Sequence, residues 1–195
     1  MSLKHAILGF LSLSPLTGYD LKKHFDQSVR HFWPANQSQI YRTLAELDAE
    51  GLVSKDVIAR EDRLDMKVYH LTETGLAELR RWLAAPLPMQ ETREPLLVQV
   101  FFAGQITDAE LLSVLRSQLA EAEAVLAALT AIYHQQLEGF PALAAPRSAF
   151  FSTLTLEYGL AAYAALGRWL LAAIRRVEAQ DYAPAPLPDL IGAQA

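Results

Sequence analysis

The chain has 195 residues, of which 52% are hydrophobic and 20% charged, and its formal net charge at pH 7 is −5. This composition is typical of a globular protein with one or two small domains and excludes disorder as the main state. The absence of cysteine excludes disulfides, cysteine-ligated metal centres and a thiol nucleophile, and it favours the cytoplasm as the location.

The charge is distributed unevenly along the chain. Residues 1–85 hold 11 Lys and Arg against 11 Asp and Glu, whereas residues 86–195 hold 6 against 11. Two units with different tasks are therefore expected, joined at Pro86-Leu87-Pro88, because proline disfavours a helix at the residue before it. The predicted boundaries are 1–85 for the first unit, 86–106 for a linker with a short helix, 107–180 for a helical domain and 181–195 for a flexible, proline-containing tail.

The first unit begins with three predicted helices. Apolar residues recur at helical spacing from Leu3 to Leu11, and Thr17 with Asp20 forms a capping box at the start of the second helix. Asn36 and Gln39 form the next capping box, and Gly51 supplies a left-handed residue at the end of the third helix. The third helix is therefore predicted over about 37–50, with Ile40, Leu44 and Leu47 on its buried side.

Two β-rich stretches follow the third helix. Leu52–Ile58 and Lys67–Leu71 flank the polar segment Ala59–Met66, which predicts a hairpin with a long tip. Thr72 or Thr74 then caps a fourth helix. This order is that of a mainly α winged helix-turn-helix domain, in which the third helix enters the major groove of double-stranded DNA and the hairpin forms the wing.

The exposed side of the third helix is polar in its N-terminal half. At 100° per residue, Ser38 and Arg42 lie opposite the buried stripe, and Gln39 and Tyr41 flank them. These residue types contact base edges and phosphates. Lysines outside this helix and basic residues of the wing complete the predicted DNA-binding set: Ser38, Gln39, Tyr41, Arg42, Lys4, Lys22, Lys23, Arg60, Arg63 and Lys67.

The wing carries both signs of charge, so its basic residues have two interpretations. Arg60 and Arg63 stand beside Glu61, Asp62 and Asp65. Together with Lys67, they either contact the DNA backbone or are solvated charges paired with neighbouring acids.

Four stretches of the first unit carry a family resemblance. They are Gly18-Tyr19-Asp20-Leu21, Phe32-Trp33-Pro34, QSQIYRTLAELDAEGLV at 37–53 and KVYHLTETGLAELRRWL at 67–83. Together they resemble the PadR family of bacterial transcriptional regulators, and the second unit resembles the C-terminal helical domain of its longer branch. The resemblance implies a winged-helix regulator, often a repressor, that dimerises through C-terminal helices and responds to a small aromatic or phenolic compound. The wing departs from the family pattern because it lacks the usual basic Gly-Arg-Pro turn.

The second unit is predicted to consist of long helices. Thr107 and Glu110 form a capping box before an apolar repeat that continues to Gly139, and a second long helix is predicted over Arg147–Gln180. The second helix is apolar nearly all round, which predicts a homodimer with twofold symmetry. Such a dimer places two recognition helices about 34 Å apart, as an inverted-repeat operator requires.

The second long helix also carries five aromatic residues. They could line the pocket of an aromatic effector, or they could belong to the dimer core. These candidate effector-binding residues are Phe150, Phe151, Tyr158, Tyr163 and Trp169.

The sequence contains no pattern that indicates an enzyme, a cofactor or a metal site. It has no glycine-rich phosphate loop and no nucleophile elbow, and His24 and His31 lack the spacing of metal ligands. Charge-free runs such as Ala124–Leu137 are shorter than the roughly 18 residues of a membrane span. The prediction is a DNA-binding regulator that contacts no membrane. The alternative is a winged-helix protein-interaction module, which the neutral first unit and the mixed wing leave open.

Overall fold

The computed structural model describes residues 2–30, 32–59, 65–88, 93–139 and 146–184. The chain divides into two compact units, Met1–Gln90 and Glu91–Ala195. Within the described residues both units are mainly helical, and the only sheet is a small one of three strands in the first unit. The predicted fold class, a winged-helix unit followed by a long-helix unit, is confirmed. None of the described helices combines the length and the apolar character that a membrane crossing needs.

The first unit follows the predicted order of elements, with one addition. Its elements are α1 (Ser2–Leu11), β1 (Leu16–Thr17), α2 (Gly18–His24), a π-helical turn (Phe25–Val29), α3 (Gln37–Ala49), β2 (Val53–Ile58), β3 (Met66–Leu71) and α4 (Glu73–Ala84).

The sheet differs from the predicted two-stranded hairpin because β1 adds a third strand. The strand order is β1-β3-β2, and both pairs are antiparallel. Leu16 pairs with Tyr69 of β3, and on the other side of β3 Val53 pairs with Leu71. A strand of two residues is too short to show an alternating pattern, so its sequence carries no period-two signal.

The predicted helix boundaries depend on caps that are present in the structure. The Thr17 hydroxyl oxygen accepts a hydrogen bond from the Asp20 amide at 3.1 Å, and the Asp20 carboxylate accepts from the Thr17 amide and hydroxyl. Donation by Thr17 lowers the pKa of Asp20 below its usual value. Of the two candidates for α4, Thr72 is the N-cap, and its side chain accepts from the Gly75 amide. Gly51 has a φ of +69°, as the predicted left-handed exit of α3 requires.

The core of the first unit lies between α1, α2, α3 and the sheet. Its fully buried side chains include Ile7, Leu8, Leu21 and Phe25, together with the predicted α3 stripe of Ile40, Leu44 and Leu47. Tyr69 of β3 closes this core, and burial raises the pKa of its hydroxyl.

The second unit contains two helices of more than 30 residues. Its elements are α5 (Pro95–Phe101), a 3-10 turn (Ala103–Gln105), α6 (Asp108–Gly139) and α7 (Pro146–Glu178). The predicted capping box at Thr107 is present, because the Thr107 amide and hydroxyl both donate to the Glu110 carboxylate at 2.8 Å. Leu115 and Ala122 of α6 pack with Leu170 and Ile174 of α7, and Leu96 and Val100 of α5 pack against this cluster.

Residues 181–184, which the sequence assigns to a flexible tail, make contacts with α6 and α7. The Tyr182 hydroxyl donates to the Asp108 carboxylate at 2.7 Å, and this hydrogen bond raises the pKa of Tyr182. Arg176 donates to the carbonyl of Ala183. The remainder of the predicted tail, 185–195, lies outside the described residues.

Candidate nucleic-acid interface

The α3 helix is buried on one side and polar on the other. Its buried residues are Ile40, Thr43, Leu44 and Leu47. The predicted DNA-contacting residues Ser38, Gln39, Tyr41 and Arg42 are all exposed. The buried hydrophobic stripe therefore determines which side of α3 is available to a ligand. The role of these four exposed residues in DNA binding stays a prediction.

Gln39 has a structural task besides the predicted one. Its side-chain oxygen accepts a hydrogen bond from the Asn36 amide at 3.0 Å, while the Asn36 side chain accepts from the Gln39 amide at 2.9 Å. A bidentate contact to adenine needs both the oxygen and the nitrogen of a glutamine side chain. Because the cap engages the oxygen, Gln39 is left with the donor hydrogens of Nε2 for a ligand.

Tyr41 packs against the start of α2. A Cβ atom built on Gly18 would lie 2.6 Å from Tyr41 Cε1, so glycine is required at position 18 for the ring to approach this closely. The Tyr41 side chain is still 42% exposed. It sets the distance between α2 and α3 and leaves part of its surface available.

Three lysines of the first unit are engaged by acids. Lys4 of α1 pairs with Glu50 at the end of α3, and Lys55 of β2 pairs with Asp48. The bond to Asp48 raises the pKa of Lys55. Lys22 of α2 pairs with Asp26 one turn later. Lys4 and Lys55 thus neutralise acids in the C-terminal half of α3, which would otherwise repel a polyanion.

The other predicted basic residues have different environments. Lys23, Arg42 and Lys67 are exposed, and among the described residues none of them forms an ion pair. Arg60 and Arg63 at the wing tip lie outside the described residues. Arg30, which sequence reasoning missed, is an exposed cation beside the start of α3 and lines the same groove as Gln39. The sequence signal that could have identified Arg30 is its spacing, because Lys22, Asp26 and Arg30 follow one another at intervals of four residues.

The base of the wing contains a cross-strand pair. Asp56 Oδ2 of β2 lies 2.9 Å from His70 Nε2 of β3, and Lys67 stands opposite Val57. This pair involves none of the predicted basic residues Arg60, Arg63 and Lys67, so both interpretations of the wing stay open, and its tip lies outside the described residues.

The five aromatic residues of α7 do not form one cluster. Phe150, Phe151 and Tyr158 are exposed, whereas Tyr163 and Trp169 pack against the core of the second unit. From 150 to 169 the helix rises about 28 Å, which exceeds the length of a small phenolic compound. They therefore divide into an exposed group and a packed group.

Among the described residues no group of three or more His, Asp or Glu side chains could hold a metal ion, and His31 lies outside them.

Comparisons with known proteins agree with this architecture. Residues 7–81 match the model of the transcriptional regulator PadR-like family, and residues 92–178 match that of the virulence activator alpha C-terminal domain. The chain is 33% identical over 134 residues to the negative transcriptional regulator PadR of Bacillus subtilis, covering 68% of this chain and 74% of that protein. The chain belongs to the PadR-like family of transcriptional regulators. Regulators of this family are not enzymes.

Two solved structures are similar to nearly the whole PadR-like chain. Bacillus subtilis PadR in complex with operator DNA superposes with a TM-score of 0.78 and 29% identity, covering 91% of this chain and 99% of that one. The same protein in complex with p-coumaric acid superposes with a TM-score of 0.74 and 28% identity, covering 90% and 95%. The structural similarity therefore extends through both units.

Proposed function

We propose that this chain is a homodimeric, cytoplasmic repressor that binds an inverted-repeat operator through α3 and is released by a small aromatic compound. The observation that carries the DNA-binding part is the exposed N-terminal half of α3, where Arg42 has no acid partner among the described residues. The repressor role is supported by the similarity to a negative transcriptional regulator, and operator binding by the similarity to a structure bound to operator DNA.

Arg42 is the residue whose change tests operator binding. A guanidinium on this face makes either a bidentate contact to a guanine edge or a phosphate contact. For a base contact, Arg42→Ala is expected to cost about 1–3 kcal/mol on the operator and to relax preference at one position per half-site. For a phosphate contact, affinity should fall for all DNA sequences. The slope of the logarithm of the binding constant against the logarithm of the salt concentration, called the salt slope below, should shrink in magnitude by about one.

The measurement is a gel shift with DNA from upstream of the protein's own gene and with a scrambled duplex. Lys23→Ala is the matched control, because Lys23 is an exposed cation on α2 and should show only the phosphate behaviour. Unchanged affinity in Arg42→Ala, Ser38→Ala and Gln39→Ala would contradict a role of α3 in recognition. The protein-interaction module would then be the better description.

The homodimer is supported by apolar side chains on the surface of the second unit. Phe150, Phe151 and Tyr158 of α7 are exposed. So is a patch formed by Leu97, Val98 and Phe101 of α5 and by Phe102, which follows it directly. Exposed apolar patches of this kind mark protein interfaces. We place the interface mainly on residues 107–138 and 147–180, the two long helices, and extend it to α5.

The aromatic effector is supported by the similarity to a structure bound to p-coumaric acid. We expect p-coumaric acid or a related phenolic acid to raise the unfolding midpoint of the full chain, because a ligand that binds only the folded state stabilises it by about 2.7 kcal/mol at a hundred times its Kd. A thermal-shift series checks this. Tyr158→Ala is expected to reduce the ligand-induced shift, measured from the midpoint of the free variant, because Tyr158 is an exposed aromatic residue of α7. A panel of phenolic acids without effect would contradict the proposal.

A further inference from the structure

A groove in the first unit lies between the end of α2 and the start of α3. Its volume is about 430 Å³, and its lining includes Lys22, Asp26, Arg30, Pro34, Asn36 and Gln39. It adjoins the exposed face of α3 because Gln39 belongs to both. Lys22 and Gln39 of this lining belong to the predicted DNA-binding set, whereas Asp26, Arg30 and Asn36 do not.

The charged residues of the groove stand in one column. Lys22, Asp26 and Arg30 are spaced by four residues, and the π-helical turn Phe25–Val29 lies between the first and the last of them. In an α-helix, a residue four positions later in the chain is displaced around the helix axis by about 40°. The i→i+5 bonding of a π turn widens the helix and reduces the rotation per residue. The turn therefore keeps all three side chains on the groove side.

Only one of the two cations in this column is available. Lys22 donates to the Asp26 carboxylate, whereas the side chain of Arg30 is exposed and forms no ion pair or hydrogen bond among the described residues. Asp26 is the only acid among the described residues of the lining, and Lys22 already neutralises it. The groove therefore presents a free guanidinium with no free carboxylate beside it.

The amide side chains on the opposite wall add hydrogen-bond donors. The side-chain oxygens of Asn36 and Gln39 are both engaged in the capping box of α3. Their nitrogens retain their hydrogens for a ligand in the groove. Arginine with two amide donors is a donor set that suits a phosphate oxygen.

We propose that this groove binds one backbone phosphate of the DNA through Arg30, assisted by Asn36 and Gln39, and that Asp26 limits the affinity by holding Lys22. The proposal rests on the proposed function, since it assigns a DNA contact next to the base-contacting face of α3. Arg30 has the role of a sequence-independent positioning residue. The Asp26 carboxylate competes with the phosphates of the DNA for the ammonium group of Lys22.

The test measures fluorescence anisotropy of the full chain with two labelled duplexes at several salt concentrations. One duplex is the segment upstream of the protein's own gene, and the other is a scrambled duplex of the same composition. Arg30→Gln is expected to weaken binding to both duplexes by at least about tenfold and to reduce the salt slope by about one per site. Arg80→Gln removes the same charge from an exposed position on α4 and is expected to leave the slope unchanged.

Asp26→Asn is expected to act in the opposite direction. It frees Lys22, so affinity for both duplexes should rise and the salt slope should steepen. Adding Lys22→Gln to Asp26→Asn should abolish this gain, whereas Lys22→Gln alone should have a much smaller effect than Arg30→Gln. Because the two single variants change affinity in opposite directions, general damage to the fold does not reproduce the pattern.

Three outcomes would overturn the inference. The first is that Arg30→Gln binds as Arg80→Gln does, the second is that Arg30→Gln changes base preference instead of the salt slope, and the third is that Asp26→Asn weakens binding. Stabilisation of the free protein by millimolar inorganic phosphate, lost in Arg30→Gln while DNA affinity is unchanged, would identify a free-anion site instead. If the wild type binds neither duplex, the proposed function itself fails. If the wild type binds and only Arg42→Ala weakens it, the proposed function stands without this groove.

Discussion

Replacing Gly75 with alanine is expected to lower the stability of the first unit by more than about 3 kcal/mol, at the upper end of what overpacking costs. A Cβ atom at position 75 would lie 2.0 Å from the carbonyl oxygen of Leu52 and 2.8 Å from Leu71 Cδ1. The nearest atom belongs to the backbone, so a rotamer change cannot relieve the clash. The start of α4 would have to separate from Leu52, whose carbonyl accepts a hydrogen bond from the Thr72 amide at 3.2 Å.

The measurement is thermal unfolding followed by tryptophan fluorescence in a Trp169→Phe background. In that background Trp33 and Trp82 remain, and both belong to the first unit. The midpoint should fall by more than about 10 °C for a unit of this size. Gly9→Ala is the matched control, because a Cβ atom there, in the last turn of α1, meets nothing within 4 Å. It should raise stability by about 0.5–1 kcal/mol. Equal midpoints for the two variants would contradict the packing explanation.

Replacing Phe101 and Phe102 together with serine is expected to convert a dimer into a monomer at micromolar concentration. Phe101 is 80% and Phe102 62% exposed, and their rings meet edge to face at 5.0 Å, while Leu96 and Val100 hold the other side of α5 on the core of the unit. A buried Phe side chain contributes about 1.5–3 kcal/mol. A twofold interface contains two copies of each side chain, so we expect the dimer Kd to rise by at least about a thousandfold.

Sedimentation velocity over a range of concentrations measures this change. Leu13→Ser is the control, because Leu13 is 77% exposed in the first unit and should not affect association. Loss of the dimer should also weaken binding to an inverted repeat by about 10²–10⁴-fold, because the second half-site is no longer bound at high effective concentration. A monomeric wild type would contradict the homodimer. A double variant that stays dimeric would limit the interface to α6 and α7.

The helix boundaries were predictable because they depend on residues close together in the sequence. Thr17 with Asp20, Asn36 with Gln39 and Thr107 with Glu110 each satisfy free amides at a helix start within three residues. The observed bounds differ from the predicted ones by only a few residues: α3 ends at Ala49 instead of about residue 50, and α7 ends at Glu178 instead of Gln180. The buried stripe of α3 follows from its spacing in the same way.

The candidate interface was only partly predictable. The exposed face of α3 follows from helical periodicity, and so did the choice of Ser38 and Arg42. The ion pairs of the lysines could not be predicted from local sequence, because Lys4 pairs with an acid 46 positions later in the chain. The groove at Arg30 depends on a π-helical turn, and no local sequence pattern predicted the change from i→i+4 to i→i+5 hydrogen bonding.

The sequence by itself determined the order of the helices and of the two wing strands, the caps that delimit the helices and the winged-helix class. These properties arise from interactions within a few residues and from the periodicity of apolar side chains. Only the tertiary structure decided that β1 joins the sheet, that Gly75 must lack a side chain, and which cations remain available for a ligand. Those three properties depend on distances between residues far apart in the chain, such as Leu52 and Gly75, and such distances exist only after the elements have packed together.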